Sequence, residues 1–345
     1  MRTRRTVAIV LSAVVLAQGR LVHAATDTSF TVAVYNVENW NSIERHGKPA
    51  QPKPAQEKQG VWNVIHAIRP DVIGFEEMGK EHDLTEVRNG LKQRGLDYPF
   101  SEWIECADKD RHVALLSRFP IAQRFSRTDY TYDLDGKTHR IQRGFLDVRI
   151  QVNDQVSFRA IVAHLKSKRK SDEGDQAKMR LEEARLLRAH VGKALKDDPQ
   201  LNLIAMGDFN DTPESEPIRT LIGESPFALF DLMPVDSHGG HDTHFWKAQN
   251  EFSRIDYLIT SPAMHERLVK DSARVADVEN WDKASDHRAV YASFRWGSPA
   301  GATAAPATSF LNDRRFWLIV LNLVALCAVA GVTIYFARRS HLSAS

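Results

Sequence analysis

The stretch "LNLIAMGDFNDTP", residues 201–213, begins as an apolar run and ends in a turn crowded with oxygen-bearing side chains. Leu201 to Met206 reads as a short strand. A turn at its end needs only a glycine and one Asn or Asp, yet Asp208, Asn210 and Asp211 all follow Gly207 within four positions. Taken alone, this is equally well a turn rich in turn formers. The other strand ends decide between the readings.

Strand after strand stops at a polar residue suited to metal or phosphate chemistry. Asn36 ends the run in "VYNVENW", Glu77 follows "DVIGFE", and His164 follows Val156 to Ala163. Arg254 and Asp256 open "RIDYLI", while Asp286 and His287 precede the Ala289 to Phe294 run. Each of these has a bland reading as a turn acid or a structural histidine. Six such accidents at one kind of position are less economical than one site built at a sheet rim from several strand ends.

Between these strands lie two helical patterns. Val61, Val64, Ile65 and Ile68 recur at helical spacing within Glu57 to Arg69, and Pro70 stops the run. Ala177, Leu181, Ala184, Leu187, Val191 and Leu195 predict an amphipathic helix over 176–195. Asp135-Gly136 is a hairpin turn signal. Many strands adjoin without regular βαβ alternation, and no internal repeat is visible. The expected class is α/β: a sandwich of mainly antiparallel or mixed sheets under helices.

The residue types fit phosphoester hydrolysis. A hard cation such as Mg²⁺ (or Mn²⁺) takes few carboxylates and keeps several waters. Glu77 supplies the main carboxylate, with Asn36 and Asp286 supporting it. Asp208 orients or deprotonates the attacking water, and Asn210 and His164 donate to phosphate oxygens. His287 stabilises the pentacovalent centre or protonates the leaving oxygen, and Asp256 holds its tautomer. Arg143 is a candidate phosphate clamp.

The ordered set "YNVEN", "DVIGFEEM", "AHLKS", "GDFND", "RIDYLI" and "SDH" resembles the endonuclease/exonuclease/phosphatase superfamily, also called deoxyribonuclease-I-like, over roughly Phe30 to Trp296. The resemblance implies a four-layer α/β sandwich and a divalent-metal phosphoesterase. It implies Glu77 as metal carboxylate with Asn36 beside it, His164 and His287 as paired catalytic histidines, and Asp208 with Asn210 as the water-orienting pair. Asp256 then partners His287, and Asp286 is an acid variously used as a metal ligand. Arg143 matches a less strictly placed arginine, followed here by Gly144 instead of the usual proline. No motif fixes the partner of His164; Glu105 is a guess.

The two ends are of another kind. Arg2, Arg4 and Arg5, an apolar stretch from Val7 to Ala17 and small residues at Ala24-Ala25 read as a secretory signal peptide, residues 1–25. The catalytic domain is expected over 26–296. A Gly-, Ala-, Pro- and Ser-rich stalk, 297–315, leads to Phe316 to Phe336, which has no Asp, Glu, Lys, Arg or His and the length of a membrane span. The expected domains close with a transmembrane helix over 316–337 and a cytoplasmic tail over 338–345. The catalytic domain then lies outside the cytoplasm, on the periplasmic or extracellular face.

The formal charge of +2 hides an asymmetry. The arginine-rich ends are basic and the region between them is net acidic, a poor general sponge for nucleic acid. Contacts to nucleic acid must then be local or mediated by a cation; Lys166, Lys168, Arg169 and Lys170 after His164 are either a track for a nucleic-acid backbone or a solvated charge run in a loop. Phe245 and Trp246 are candidates for stacking on a base or sugar, or for packing in the core. Of the two cysteines, Cys106 stands alone in the domain and Cys327 lies in the apolar span, so no disulfide framework is expected. A membrane-anchored exported nuclease, taken as a monomer, is the favoured reading. The alternatives are a lipid or inositol-phosphate phosphodiesterase or phosphatase, or a non-catalytic tethered binding module.

Overall fold

A computed structural model of the protein describes residues 28–45, 48–170 and 172–297. The signal segment, the stalk after Gly297, the apolar span and the tail lie outside the described residues. Among the described residues no helix is long and apolar enough to cross a membrane.

Two six-stranded mixed sheets carry the fold. The first runs in the order Arg274–Val275, Val290–Trp296, Thr28–Asn36, Val72–Met78, His112–Ser117, Phe100–Ile104. The second runs Phe230–Asp231, Asp256–Thr260, Leu203–Asp208, Ser157–Ala163, Phe145–Gln151, Ile121–Arg124. Each sheet has one parallel pair at its centre: Thr28–Asn36 beside Val72–Met78, and Ser157–Ala163 beside Leu203–Asp208. All other neighbours are antiparallel. A parallel pair needs a long crossover. Helix α1, Ala55–Ile68, lies in the first; α2, Glu81–Gln93, follows that pair. Helix α3, Gln176–Asp197, lies in the second crossover, and α4, Glu216–Ile222, follows that pair. The repeat absent from the sequence is therefore present in the topology.

Alternation along the strands builds the layers. Phe30, Val32 and Val34 face Phe158, Ala160, Val162, Ile204 and Met206 across the gap between the sheets. Ala33 and Tyr35 face the other way, onto Val61, Val64 and Ile65 of α1 and Val87 and Leu91 of α2. On the second sheet Ile161, Leu203 and Ala205 pack under Ala184, Leu187 and Val191 of α3 and Ile218 and Leu221 of α4. Helices thus cover the outer face of each sheet.

Helix α3 departs from the apolar face expected of it. In its first turns the buried positions are Gln176, Met179, Arg180 and Glu183, while Ala177 is exposed. Those turns hold the loops after two neighbouring strands. Arg180 donates to Asp211 at 2.8 Å and to the Lys166 carbonyl at 3.1 Å, and Glu183 accepts the backbone N–H groups of Lys166 and Gln142.

Gly74 lets side chains of the second sheet fill the space over the first. A Cβ there would sit 2.7 Å from Val162 Cγ2 and 3.2 Å from Met206 Cε. Gly74→Val must pry the sheets apart, and overpacking of this kind costs about 1–3 kcal/mol. The expected result is a lower urea midpoint at unchanged slope; an unchanged midpoint would show that the gap is slack.

Candidate active site

The apolar side chains facing the inter-sheet gap give way to polar ones at a single end. Asn36 lies two residues beyond Val34, Glu76 beyond Gly74, His164 beyond Val162, and Asp208 beyond Met206. Asp256 lies two residues before Leu258. A period of two keeps each of them on the inner face of its strand. Four come from the C-terminal ends of the two parallel pairs, the end at which open α/β sheets bind ligands. All five are buried.

Asp208 is their hub. Its Oδ2 accepts a hydrogen bond from Asn36 Nδ2 at 3.1 Å, and lies 3.3 Å from His164 Nε2 and 3.7 Å from His287 Nε2. Its Oδ1 accepts the Asn210 backbone N–H at 2.9 Å. His287 is fixed from behind: its Nδ1 lies 2.9 and 3.1 Å from the two oxygens of Asp256. Ser285 ties this segment down, donating from Oγ to the Asn36 carbonyl and accepting the His287 N–H.

The rest of the "GDFND" turn holds this corner in place. Phe209 is buried and stacks on Tyr257, whose hydroxyl donates to the Asp211 carbonyl at 2.7 Å. Asn210 takes a left-handed conformation, φ 54°, and donates its amide to the Leu165 carbonyl at 3.0 Å. Asp211 is paired with Arg180 and Lys168. At Gly207, φ 146°, a Cβ would fall 1.9 Å from the Ala163 carbonyl oxygen, so no side chain fits.

The environments drive the titratable groups apart. Burial pushes the Asp208 carboxyl up to about 7, with His287 opposing the rise and Asp256 adding to it. Burial alone would lower His287, but Asp256, Asp208 and Asp286 outweigh it and hold the imidazolium well above the usual histidine range. Burial, Arg143 and His287 push His164 well below that range. One histidine is thus held charged and the other neutral.

Glu77 sits where the strand bulges. Phe75 pairs with Ala114 and Met78 with His112, so Glu76 and Glu77 oppose a single residue. Glu77 takes φ 57°. A bulge of this kind re-aims a side chain, and Glu77 Oε1 lies 3.9 Å from Arg111 Nε. Glu38, absent from the sequence-based set, joins this side of the site. Its Oε2 accepts the Asp286 backbone N–H at 3.1 Å. Burial and then the charge of Asp286 raise its carboxyl, with Glu77 adding to the rise and Lys53 opposing it. Asp286 and Glu77 both act on Glu38, and carboxylates of this kind are the oxygen ligands a hard cation takes. The signal for Glu38 was its place two residues after Asn36 in the same motif.

Arg143 is buried beside the site, donating to Asp108 Oδ2 at 3.2 Å and to the Leu165 carbonyl at 3.3 Å. Glu105 does not partner His164. It stays on the surface, 3.3 Å from Lys109, and the neighbour of His164 is Asp208.

Glu76 is the residue the sequence hid. It is fully buried, and neither carboxyl oxygen has a well-aligned hydrogen-bond partner among the described residues. Burial, Asp256 and Asp208 push its pKa well above the usual 4.5, against His287 and the Asp208 backbone N–H. The folded state keeps this proton where the unfolded chain has released it. Its stabilising contribution is therefore complete below about pH 4.5 and is lost as pH rises toward the folded-state pKa. Glu76→Gln, with no proton to lose, should gain on the wild type in urea midpoint as pH rises above about 4.5 in chelator. A difference constant across that range would contradict a neutral Glu76.

The sequence profile of the Endonuclease/Exonuclease/phosphatase family matches residues 41–287. A sequence comparison with curated proteins finds no match. Among solved structures, an endonuclease/exonuclease/phosphatase family protein from Bacteroides thetaiotaomicron is similar at 20% identity and TM-score 0.53, over 79% of this chain and 99% of that one. Sphingomyelinase C from Streptomyces griseocarneus is similar at 16% identity and TM-score 0.53, over 77% and 99%. ANGEL2, a 2',3'-cyclic phosphatase solved with adenosine-2',3'-vanadate, is similar at 15% identity and TM-score 0.57, over 79% and 97%. At these identities the structural likenesses establish the fold, and the profile, spanning most of the chain, establishes that it belongs to the endonuclease/exonuclease/phosphatase family.

Proposed function

We propose that the protein is a divalent-metal-dependent phosphodiesterase, an exported nuclease held to a membrane by its C-terminal apolar segment. The observation that carries the reaction is the convergence of Asn36, His164 and His287 on one oxygen of Asp208, with Asp256 behind His287. A base near neutrality beside a histidine held charged is the pairing that general acid–base hydrolysis uses.

Asp208 takes the proton of the attacking water, and a carboxyl titrating at about 7 is matched to that task. His287, held as imidazolium by Asp256, donates from Nε2 to the phosphoryl centre or the leaving oxygen. His164, kept neutral, hydrogen-bonds a phosphate oxygen without adding a charge that would compete with His287. Arg143 lends positive charge to the same space, and Asn36 links Asp208 to the carboxylate side. Glu38, Glu77 and Asp286 would hold a Mg²⁺ or Mn²⁺ ion, which supplies charge neutralisation to the phosphoryl group.

Nucleic acid is favoured by the exposed run Lys168, Arg169 and Lys170 beyond His164, although Lys166 is buried and paired with Glu173. A lipid phosphodiester is the second reading. The hairpin of His244–Trp246 and Glu251–Ser253 leaves Trp246 51% and Phe252 53% exposed. That is the apolar wedge expected of an enzyme working at a lipid surface.

Hydrolysis of bis-p-nitrophenyl phosphate, plasmid DNA, inositol phosphates and sphingomyelin vesicles, with Mg²⁺ and with chelator, separates these readings. Metal-dependent turnover of DNA is expected; turnover of sphingomyelin alone selects the lipid enzyme, and none at all a binding module. Asp208→Asn and His287→Ala should each lower kcat by about 10²–10⁴-fold with little change in KM. A folded Asp208→Asn with near-normal kcat would remove the base from the scheme. The kcat/KM profile should be bell-shaped, rising through about pH 7 as Asp208 deprotonates and falling as His287 loses its proton. For the tether, a chain ending at Trp296 should be released from membranes and remain active. Its retention on the membrane would place the anchor elsewhere.

A further inference from the structure

His244 has no part in the chemistry above, yet it stands against it. The strand His244–Trp246 is bridged antiparallel to His287. Phe245 N–H donates to the Asp286 carbonyl at 2.9 Å, and Arg288 N–H donates to the Thr243 carbonyl at 2.6 Å. The two imidazole rings lie 4.6 Å apart, tilted by 50°. Both turn Nδ1 backward: His287 to Asp256 at 2.9 Å, His244 to Ser253 Oγ at 3.3 Å. Both therefore present Nε2 to the same space, where Asp286 places its carboxylate. His244 Nε2 is 3.9 Å from Asp286 Oδ2, and His287 Nε2 is 3.9 Å from Asp286 Oδ1. The ligand atoms of all three lie within 4.8 Å of one another.

We propose that His244, Asp286 and His287 form a binding site for a borderline divalent ion of the zinc class, and that its occupation switches the enzyme off. Two imidazoles and one carboxylate suit zinc, cobalt or nickel better than magnesium, which takes oxygen ligands. A tetrahedral ion at about 2.0–2.1 Å from each ligand atom sets those atoms about 3.4 Å apart, so the observed spacings need to close by only a fraction of an ångström for the two 3.9 Å pairs. The carboxylate behind His287 and the hydroxyl behind His244 are the outer partners that orient metal-binding imidazoles. An isolated backbone bridge and the flanking backbone hydrogen bonds tie the two histidine-bearing segments together. An ion there displaces the Nε2 proton of His287 to solvent, which removes the acid, and at the same time occupies one carboxylate of the hard-cation set. Binding rests on this geometry alone; inhibition rests also on the phosphodiesterase reading.

The test uses the full-length chain, stripped with chelator and titrated with Co²⁺. The visible absorption of bound Co²⁺ reports nitrogen-containing, low-coordinate ligation without any turnover. The wild type should develop an intense band at one equivalent, displaced by Zn²⁺. His244→Ala should lose the band and weaken zinc binding at least about tenfold, and His244→Cys should restore tight binding with a thiolate-shifted spectrum. In Mg²⁺-supported hydrolysis, the zinc concentration giving half inhibition should rise at least about tenfold in His244→Ala, relative to that variant's own uninhibited rate. A Co²⁺ spectrum and zinc affinity unchanged in His244→Ala would overturn the site. A site lost in His244→Ala with unchanged zinc inhibition would overturn the switch.

Discussion

The structure depends on how closely two sheets can approach. At Gly74 the first sheet offers no side chain, and Val162 and Met206 of the second fill the space. Beyond that contact the same inner faces carry Glu76, His164 and Asp208 instead of apolar groups. The core and the site are thus one continuous layer, apolar along most of its length and polar at its end. The parallel pair at the centre of each sheet, with α1 or α3 in its crossover, brings two strand ends to that end from each side. The chemistry is assembled by topology, since Asn36 and Asp208 are hydrogen-bonded but lie far apart in the chain.

Such a layer is costly. Buried carboxyls destabilise a fold unless they are paired, protonated or neutralised by a cation. The protein meets the cost differently on each side. Asp256 is satisfied by the charged His287. Asp208 is pushed up by burial, accepts from Asn36, and has the His164 and His287 imidazoles within 3.7 Å of the same oxygen. Glu76 is driven toward its neutral form. On the other side Glu38 is raised by burial, Asp286 and Glu77 against Lys53, and Arg111 lies 3.9 Å from Glu77. An imbalance of that sign attracts a cation. Asp286 also lies 3.9 Å from both His244 Nε2 and His287 Nε2.

Much of this was legible in the sequence because strand ends are local. The apolar runs before Asn36, His164 and Asp208 form strands as expected, and the polar residues after them converge. Glu76 and Glu77 show where local reading ends. Adjacent carboxyls in "GFEEM" are equivalent in a sequence, and only the bulge opposite Val113 and the left-handed turn at Glu77 separate them. Glu38 escaped for the opposite reason: it follows the strand end and turns back to the Asp286 backbone, a contact across nearly the whole chain. Arg180 and Glu183 were missed because a helical face was expected to be apolar, whereas its first turns serve neighbouring loops. His244 was passed over beside Phe245 and Trp246, since nothing local says that its short strand bridges His287.

The central claim is that Asp208 and His287, 3.7 Å apart, act in the same step, Asp208 taking a proton from water while His287 donates at the phosphoryl or leaving oxygen. A double-mutant cycle on kcat, in saturating Mg²⁺ with the most reactive of the phosphodiesters, measures this most directly. If the two residues act together, Asp208→Asn combined with His287→Ala should cost no more than the more damaging single change. Losses that multiply would mean that the two groups serve independent steps, and would contradict the account.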